Sequence, residues 1–428
     1  MKNLLVQVKN EWRASLFLFI ELLLVFVVLW YIVDWTLVTA RVYLSPLGYD
    51  TEHCYNITVS KLTPKSASYN PVLTTDDDMQ HLLELTERLR HRPGIEAAAL
   101  SQNCVPYNNG SNGLNVGLDT LILNTHLLWV EPDFFRVFRY GAASHGSVSH
   151  ESTLSQMAAA IRDNRLVISS NLFADYPERH LSDAATLQRL DLKLLNFGVD
   201  VHRRVGAVGT PVRWSHFDTT SEWGGSYGAL HLDLDRLKEY GNVRYITLSL
   251  RVRPDADHRF MEQLMDDADR LYRVGNLYLL DVIPFATLRE ACEREAMNEA
   301  KTQLCVLGFL LMNIFLGVIG TFWFRTQQRR KEVALRMAMG STRRSVFTRL
   351  LTEGLLLLTL SAIPAIVIAL NIGIAELIDV SKLPFGTARF LSAALLTWLL
   401  MAVMIVAGIW YPARKAMKVQ PAEALHDE

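Results

Sequence analysis

The chain has 428 residues, half of them hydrophobic, with 43 Lys and Arg against 44 Asp and Glu and a formal net charge of −1. That balance excludes a strongly basic nucleic-acid binder, although it averages over two unlike parts. The four cysteines form no CxxC pair, and neither a CxxC…HxxxH pattern nor clustered His ligands appear, so a metal site has no support from spacing.

Residues 1–15 read as a short amphipathic helix, with Leu4, Leu5 and Val8 on one side and Lys2, Lys9 and Arg13 elsewhere, suited to the inner leaflet of a membrane. Residues 16–38 are apolar for longer than the roughly 20 residues that cross a hydrocarbon core of about 30 Å. This first span ends in Trp30, Tyr31 and Trp35, which read as an interfacial aromatic belt. No small-x-small cleavage site follows, so the segment is not read as a removed signal peptide. Glu21 and Asp34 are acids within the span; at its centre each would cost about 2.5–3.5 kcal/mol. Both lie nearer the ends, and the open readings are that they snorkel or face a partner helix. Residues 36–44 extend the span as a stalk, up to Pro46.

Residues 39–303 are domain-sized and mixed in texture, an α+β domain of two subdomains carried on helical stalks. Tyr55 to Ser60 alternates as a strand does, and Asp76 to Arg92 carries Met79, Leu82, Leu83 and Leu89 at helical spacing, with acids in the first turn. Pro93-Gly94 ends that helix. Strands are expected at Ala97–Leu100, Leu114–Asp119, Thr125–Val130, Arg165–Ser169, Val205–Val208 and Arg244–Arg253, with a second amphipathic helix over Phe260–Tyr272. Gly141 to Gln156, rich in Ser, His, Gly and Ala, reads as a surface loop, and His145 and His150 belong to it. Ala286 to Gln303 contains neither Gly nor Pro and runs directly into apolar residues, so it is expected to continue the second span outward as a continuous rod.

The second span is expected over residues 304–324, the third over 351–373 and the fourth over 390–410, with a short external loop at 374–389 and a tail at 411–428. Between the second and third, residues 325–350 hold eight Lys or Arg against the single acid Glu332. Positive charge in short loops stays on the inner face, so this loop and both termini are placed inside and the large domain outside. Within the loop Lys331 to Met339 reads as a short helix, with Glu332 and Arg336 as an i,i+4 pair. Gly340 suits a left-handed stop and Ser341 a cap for the next helix, which begins near Thr342. On charge alone such a loop is as readily a topology determinant touching anionic lipid.

Of the cysteines, Cys54 and Cys104 lie in the external domain, where an oxidising compartment permits a disulfide; two separate buried thiols are the other reading. No GxSxG elbow or comparable pattern appears, and no catalytic residue is assigned.

The run RRKEVALRMAMGSTRRSVFTRLLTEGLLL resembles the signature region of FtsX-type permease domains, with Arg329, Arg330, Glu332, Val333, Leu335, Arg336, Met339, Gly340, Ser341 and Arg344 filling it. The tail YPARKAMKVQPAEAL is similar to the closing motif of that family, through Pro412, Ala413, Arg414, Ala416, Pro421, Glu423, Ala424 and Leu425. The external domain resembles the MacB-type periplasmic core at WVEPDFFRVF, LVISSNLFADYP and RRVGAVGTPVRW, with Gly209-Thr210-Pro211 standing where an acidic turn is usual.

The resemblance implies a multi-pass subunit of a bacterial inner membrane, with four transmembrane helices, a large periplasmic domain and no enzymatic activity of its own. It implies a separate cytosolic ABC ATPase carrying ATP and Mg, since the sequence has no GxxxxGK[ST] loop to cradle phosphates. The coupling residues implied are Arg330, Lys331, Glu332, Val333, Leu335, Arg336, Met339, Gly340 and Ser341. A second permease subunit, identical or different, is implied, along with membrane lipids and a periplasmic adaptor with its outer-membrane channel. The function expected is export or efflux by mechanotransmission. The alternatives are a lipoprotein-releasing subunit, or a non-transporting regulator or sensor of envelope enzymes or antimicrobial peptides.

Overall fold

The computed structural model describes residues 12–108, 110–141, 150–195, 201–219, 225–234, 246–328 and 342–417. The chain divides into two compact units, Met1–Arg41 with Ala296–Glu428, and Val42–Glu295.

The first unit is built on four helices, Trp12–Tyr43, Phe285–Gln328, Arg343–Ile374 and Thr387–Met417. All four are long and apolar enough to cross a membrane, over Leu18–Tyr43, Phe285–Gly320, Phe347–Ile374 and Thr387–Trp410. A backbone in hydrocarbon must satisfy its own hydrogen bonds, which only an unbroken helix does for a single segment. Leu18, Leu22, Phe26, Leu29 and Val33 recur at three- and four-residue spacing and form one buried face of the first helix. They share a core with Leu357, Leu358, Ala362, Ala365 and Ala369 of the third helix and with Ala393, Met401 and Ile405 of the fourth. The alanines matter because lipid tails compete for every apolar contact, so close backbone approach decides the packing. As expected from its lack of breakers, the stalk sequence is continuous with the second span, in one helix of 44 residues, about 65 Å at 1.5 Å per residue.

The second unit holds, among the described residues, one 11-stranded sheet in the order β10-β11-β1-β9-β2-β4-β3-β6-β7-β5-β8. Its first part comprises β1 (Cys54–Lys61), β2 (Ile95–Gln102), β9 (Ile246–Val252), β10 (Arg273–Val274) and β11 (Leu277–Pro284). With helices Thr75–Arg90 and Phe260–Asp266 these form a split βαβ arrangement, strands β11, β1, β9 and β2 side by side and antiparallel. Helix Thr75–Arg90 starts in a capping box, in which Thr74 accepts from the Asp77 N–H and the Asp77 carboxylate accepts from the Thr74 N–H. It ends before Gly94, whose φ of +93° suits glycine. Its buried face is Met79, Leu82, Leu85 and Leu89; Leu83, expected to share it, is only partly buried.

Between β2 and β9 the chain inserts β3 (Asn112–Leu118), β4 (Leu121–Val130), β5 (Leu166–Ser169), β6 (Asp191–Leu194), β7 (Val201–Gly209) and β8 (Tyr227–His231). Antiparallel pairs β4–β3, β3–β6, β6–β7 and β5–β8, with parallel pairs β7–β5 and β8–β4, close these six strands on themselves and remove their edges. Residues 150–156, placed in a loop by composition and including His150, lie instead in helix His150–Arg162. Leu154, Met157 and Ile161 recur at three- and four-residue spacing and are buried there, a periodicity hidden by the small polar residues around it. The remainder of that expected loop, residues 142–149, lies outside the described residues.

Leu85→Ala, which removes a fully buried side chain, is expected to cost the external unit about 2–5 kcal/mol. Limited trypsinolysis of the full chain in detergent should show earlier cleavage between residues 42 and 295, with the membrane helices still protected.

Candidate functional site

The segment that follows β7, residues 210–219, joins the two helix ends that enter the external unit. Helix Trp12–Tyr43 leaves carbonyls unsatisfied at its C-terminus, as every helix does. Arg213, 3% exposed, binds one of them, that of Val42, and the carbonyls of the turn that follows. Its guanidinium donates to the carbonyls of Val42 (2.6 Å), Pro46 (3.0 Å) and Ser45, and to those of His216 (3.3 Å) and Asp218 (3.2 Å) in its own loop. A cation at a helix C-terminus is favoured by the macrodipole as well as by these bonds. Burial draws the Arg213 pKa below its ordinary value.

Three residues further on, the same loop grips the start of helix Phe285–Gln328. The Glu293 carboxylate, 4% exposed, accepts from the backbone N–H of His216 (2.9 Å), from His216 Nδ1 (2.6 Å) and from Arg289 Nε (3.1 Å). The other end of the Arg289 guanidinium donates to the Tyr43 hydroxyl at 3.1 Å, which ties the two helices to each other directly. Partial burial works to lower the Arg289 pKa, but its hydrogen bond and charge pairing with Glu293 outweigh this and hold it above the ordinary value. The His216 ring lies against Tyr43 (5.2 Å) and Tyr107 (6.4 Å, nearly parallel). From Tyr107 the aromatic contacts continue to Tyr49, Tyr140 and Tyr227 on β8. The collar therefore reaches from both helix ends into the core of the six-stranded ring.

Sequence reading singled out neither Arg213 nor Glu293. The signal available was the cationic VRWSHF segment at the point where the usual acidic turn is replaced, and a Glu in an otherwise exposed rod; neither declares its partner. The residues expected to couple, Arg330, Lys331, Glu332, Val333, Leu335, Arg336, Met339, Gly340 and Ser341, lie outside the described residues. Just beyond them, the cap of helix Arg343–Ile374 is Thr342 rather than the expected Ser341, because the Thr342 hydroxyl accepts the Ser345 N–H at 3.3 Å.

Within the membrane unit, Asp34 faces its own fourth helix. Asp34 and Arg389 are 2% and 9% exposed and pair bidentately, with Arg389 Nε 2.9 Å and Nη2 2.6 Å from the carboxylate oxygens. The same guanidinium donates to the carbonyls of Asp379 (2.9 Å) and Leu383, so it also holds the loop between the third and fourth helices. Glu21 points at Gly317 of the second helix, where a β-carbon would stand 2.8 Å from its Oε1. Both acids are thus directed at neighbouring helices of the same chain.

Cys54 and Cys104 are free and buried. No disulfide joins them, because each thiol is turned to a separate backbone carbonyl, Cys54 to Val137 (3.1 Å) and Cys104 to Trp129 (3.5 Å). Burial pushes both thiols up to about 12, which leaves them unreactive. Among the described residues no three His, Cys, Asp or Glu side chains gather as a metal set.

Residues 304–421 match the FtsX-like permease C-terminal family. Among curated proteins, the chain is similar to the pyoverdine export ATP-binding/permease protein PvdT of Pseudomonas entomophila, 30% identical over 132 residues, which is 30% of this chain and 18% of that protein. It is also similar to the macrolide export ATP-binding/permease protein MacB of Bdellovibrio bacteriovorus, 24% identical over 193 residues, 44% of this chain and 29% of that one. The chain thus spans less than a third of the length of these relatives. Among solved structures, the periplasmic region of MacB from Actinobacillus actinomycetemcomitans aligns with 59% of this chain and 97% of that one, at 10% identity and a TM-score of 0.31.

Removing one partner of a buried ion pair costs about 3–5 kcal/mol, whereas replacing both by apolar groups is often neutral. Arg389→Met is accordingly expected to lower the thermal stability of the chain in detergent, and Asp34→Leu combined with Arg389→Met to restore most of it. A double variant no more stable than the single one would show that the loop carbonyls, not the pair, dominate.

Proposed function

We propose, on the premise that this chain is a permease of the MacB/FtsX type, that it is the membrane subunit of an ABC-type export complex and transmits motion to its external unit. The observation that carries the reading is the collar, in which one loop holds the end of helix Trp12–Tyr43 through Arg213 and the start of helix Phe285–Gln328 through Glu293. A displacement of either helix along or across its axis loads the same buried hydrogen bonds and reaches the ring by way of Tyr107, Tyr49 and Tyr140. Charge-assisted bonds of this kind contribute about 1.5–3 kcal/mol each, enough to hold the joint while the helices move.

In this reading the basic loop and both termini face the cytosol, and the segment from Arg330 to Ser341 docks in a separate ATPase that binds ATP and Mg. The chain supplies no catalytic group. Two named relatives are export proteins, for pyoverdine and for macrolides, which favours export over lipoprotein release or a purely regulatory role. A periplasmic adaptor is the natural recipient of motion delivered to the external unit.

Arg213→Gln should leave ATP hydrolysis by the assembled complex intact while export falls at least about tenfold, because the helix end loses its charged donor at a cost of roughly 1.5–3 kcal/mol. The Gly-Gly replacement of Ala296-Met297, which weakens the rod by about 1–2 kcal/mol, should give the same separation of hydrolysis from export. Unchanged export in both variants would favour a conventional path in which the helices only tether the domain.

At the inner end, Glu332→Lys reverses a charge on the docking segment, and Gly340→Val opposes a left-handed stop by roughly 1–2 kcal/mol. Each is expected to abolish stimulation of the partner ATPase in proteoliposomes while membrane insertion is kept. Wild-type stimulation in both would remove the docking role from this loop.

A further inference from the structure

Alternation along β7 puts Val201, Arg203 and Val205 on one face of the strand and His202 and Arg204 on the other. The first face is the inner one. Val205 is buried in the core of the ring, and Arg203 stands opposite the fully buried Leu192 of β6, in a register that also pairs Val201 with Leu194. A guanidinium there departs from the usual pattern, in which the core-facing side of an antiparallel pair is apolar and the solvent side polar. Arg203 is half-buried, whereas Arg204 is exposed.

Arg203 lines a cavity of about 490 Å³. That volume lies within the roughly 300–1,000 Å³ of sites for organic ligands, which favour the mouths of closed sheets. Trp129 of β4 and Leu230 of β8, neighbours in register, form its apolar wall together with Leu194 and Val201. Arg162, the last residue of helix His150–Arg162, stands exposed at its rim with His231. Among the described residues Arg162 has no hydrogen-bond or ion-pair partner, and the Arg203 guanidinium meets only the carbonyl of its neighbour His202, at 3.3 Å. The one carboxylate of the lining, Asp233, is already engaged in an interaction of its own. Two like charges on an apolar wall repel each other and focus their field into the space between them, so the cavity attracts an anion.

A neutral apolar ligand would cover both guanidiniums and leave them unpaired. A bare inorganic anion would leave the Trp129 wall and most of the volume to water. A flat organic anion answers both halves, since a carboxylate or sulfonate fits the guanidinium fork and an aromatic ring lies against indole. We propose that this cavity binds an amphipathic organic anion, an aromatic carboxylate or sulfonate, with its acidic group held by Arg203 and Arg162 and its ring against Trp129 and the aliphatic wall. The site lies wholly in the second unit and uses no residue of the collar, so it goes beyond the permease reading and does not depend on it.

The test is isothermal titration calorimetry on the full chain in phosphatidylcholine nanodiscs, with empty nanodiscs as the blank and naphthalene carboxylate as the probe. One probe is expected to bind per chain, and the uncharged naphthalene carboxamide at least about tenfold more weakly, as for loss of a charged hydrogen bond. Arg203→Gln should weaken the carboxylate by a similar factor and Arg162→Gln by less, because its side chain is exposed. Arg204→Gln, one residue along on the outer face, should change nothing. Thermal unfolding of each variant reports on folding, and Arg162→Gln at a helix end carries the test if Arg203→Gln alters the fold. Four results would overturn the proposal: no saturable heat up to millimolar probe, equal binding of carboxylate and carboxamide, equal losses in Arg203→Gln and Arg204→Gln, or displacement of the probe by inorganic phosphate at equal concentration. The measurement needs neither ATP nor a partner chain, so a negative result removes this site and leaves the permease reading to stand or fall on ATPase stimulation.

Discussion

A helix cannot stop inside hydrocarbon, and wherever it does stop its last carbonyls need donors. That constraint organises much of this chain. Helix Trp12–Tyr43 overruns its apolar stretch and ends in the second unit, where Arg213 donates to the last-turn carbonyl of Val42 and to those of Ser45 and Pro46 just beyond the helix. A buried guanidinium is expensive to desolvate, so the loop around it is committed to one geometry, with the carbonyls of His216 and Asp218 completing its partners. The same commitment places His216 against Glu293, and the second helix is held as a consequence of how the first one ends.

The second unit surrounds this joint with two linked parts. The six-stranded ring is inserted between β2 and β9 of the split βαβ part, so the two parts share covalent connections at neighbouring strands rather than a single tether. Arg251, 1% exposed, reinforces the seam from β9. It donates to the Val137 carbonyl at 2.6 Å and to Asp50 through both its carbonyl (2.7 Å) and carboxylate (3.1 Å). Glu131 does similar work where β2 parts from β4, accepting the Leu100 N–H and pairing with Arg90. Burial raises the Glu131 pKa, and the Arg90 charge opposes that rise.

The membrane unit distributes its charges by a related logic. Asp34 and Arg389 are costly alone and tolerable together, and their bidentate geometry leaves Arg389 donors free for the loop carbonyls of Asp379 and Leu383. The first and fourth helices and the loop before the fourth are thereby clasped at one point, while the second helix is the least covered of the four. All four helices are comparably apolar, so hydropathy alone does not account for that contrast in burial.

The sequence by itself determined what one-dimensional physics controls. Four apolar runs, an excess of basic residues in one short loop and an absence of helix breakers from residue 286 to 303 are sufficient to fix four membrane helices and the continuity of the rod, because hydrocarbon acts on each segment independently of the others. Short-period patterns likewise marked helix Thr75–Arg90 and strands β1 to β5, β7 and β9. The motif resemblance falls for the same local reason within or beside residues 304–421, which match the FtsX-like permease C-terminal family. What only the tertiary structure decided involves residues far apart in the chain: Arg213 with Val42, His216 with Glu293, Asp34 with Arg389, and the closure of β4 on β8. A lone buried charge looks alike in sequence whether it is paired, capping or solvated, since its free energy is set by the partner that folding brings to it.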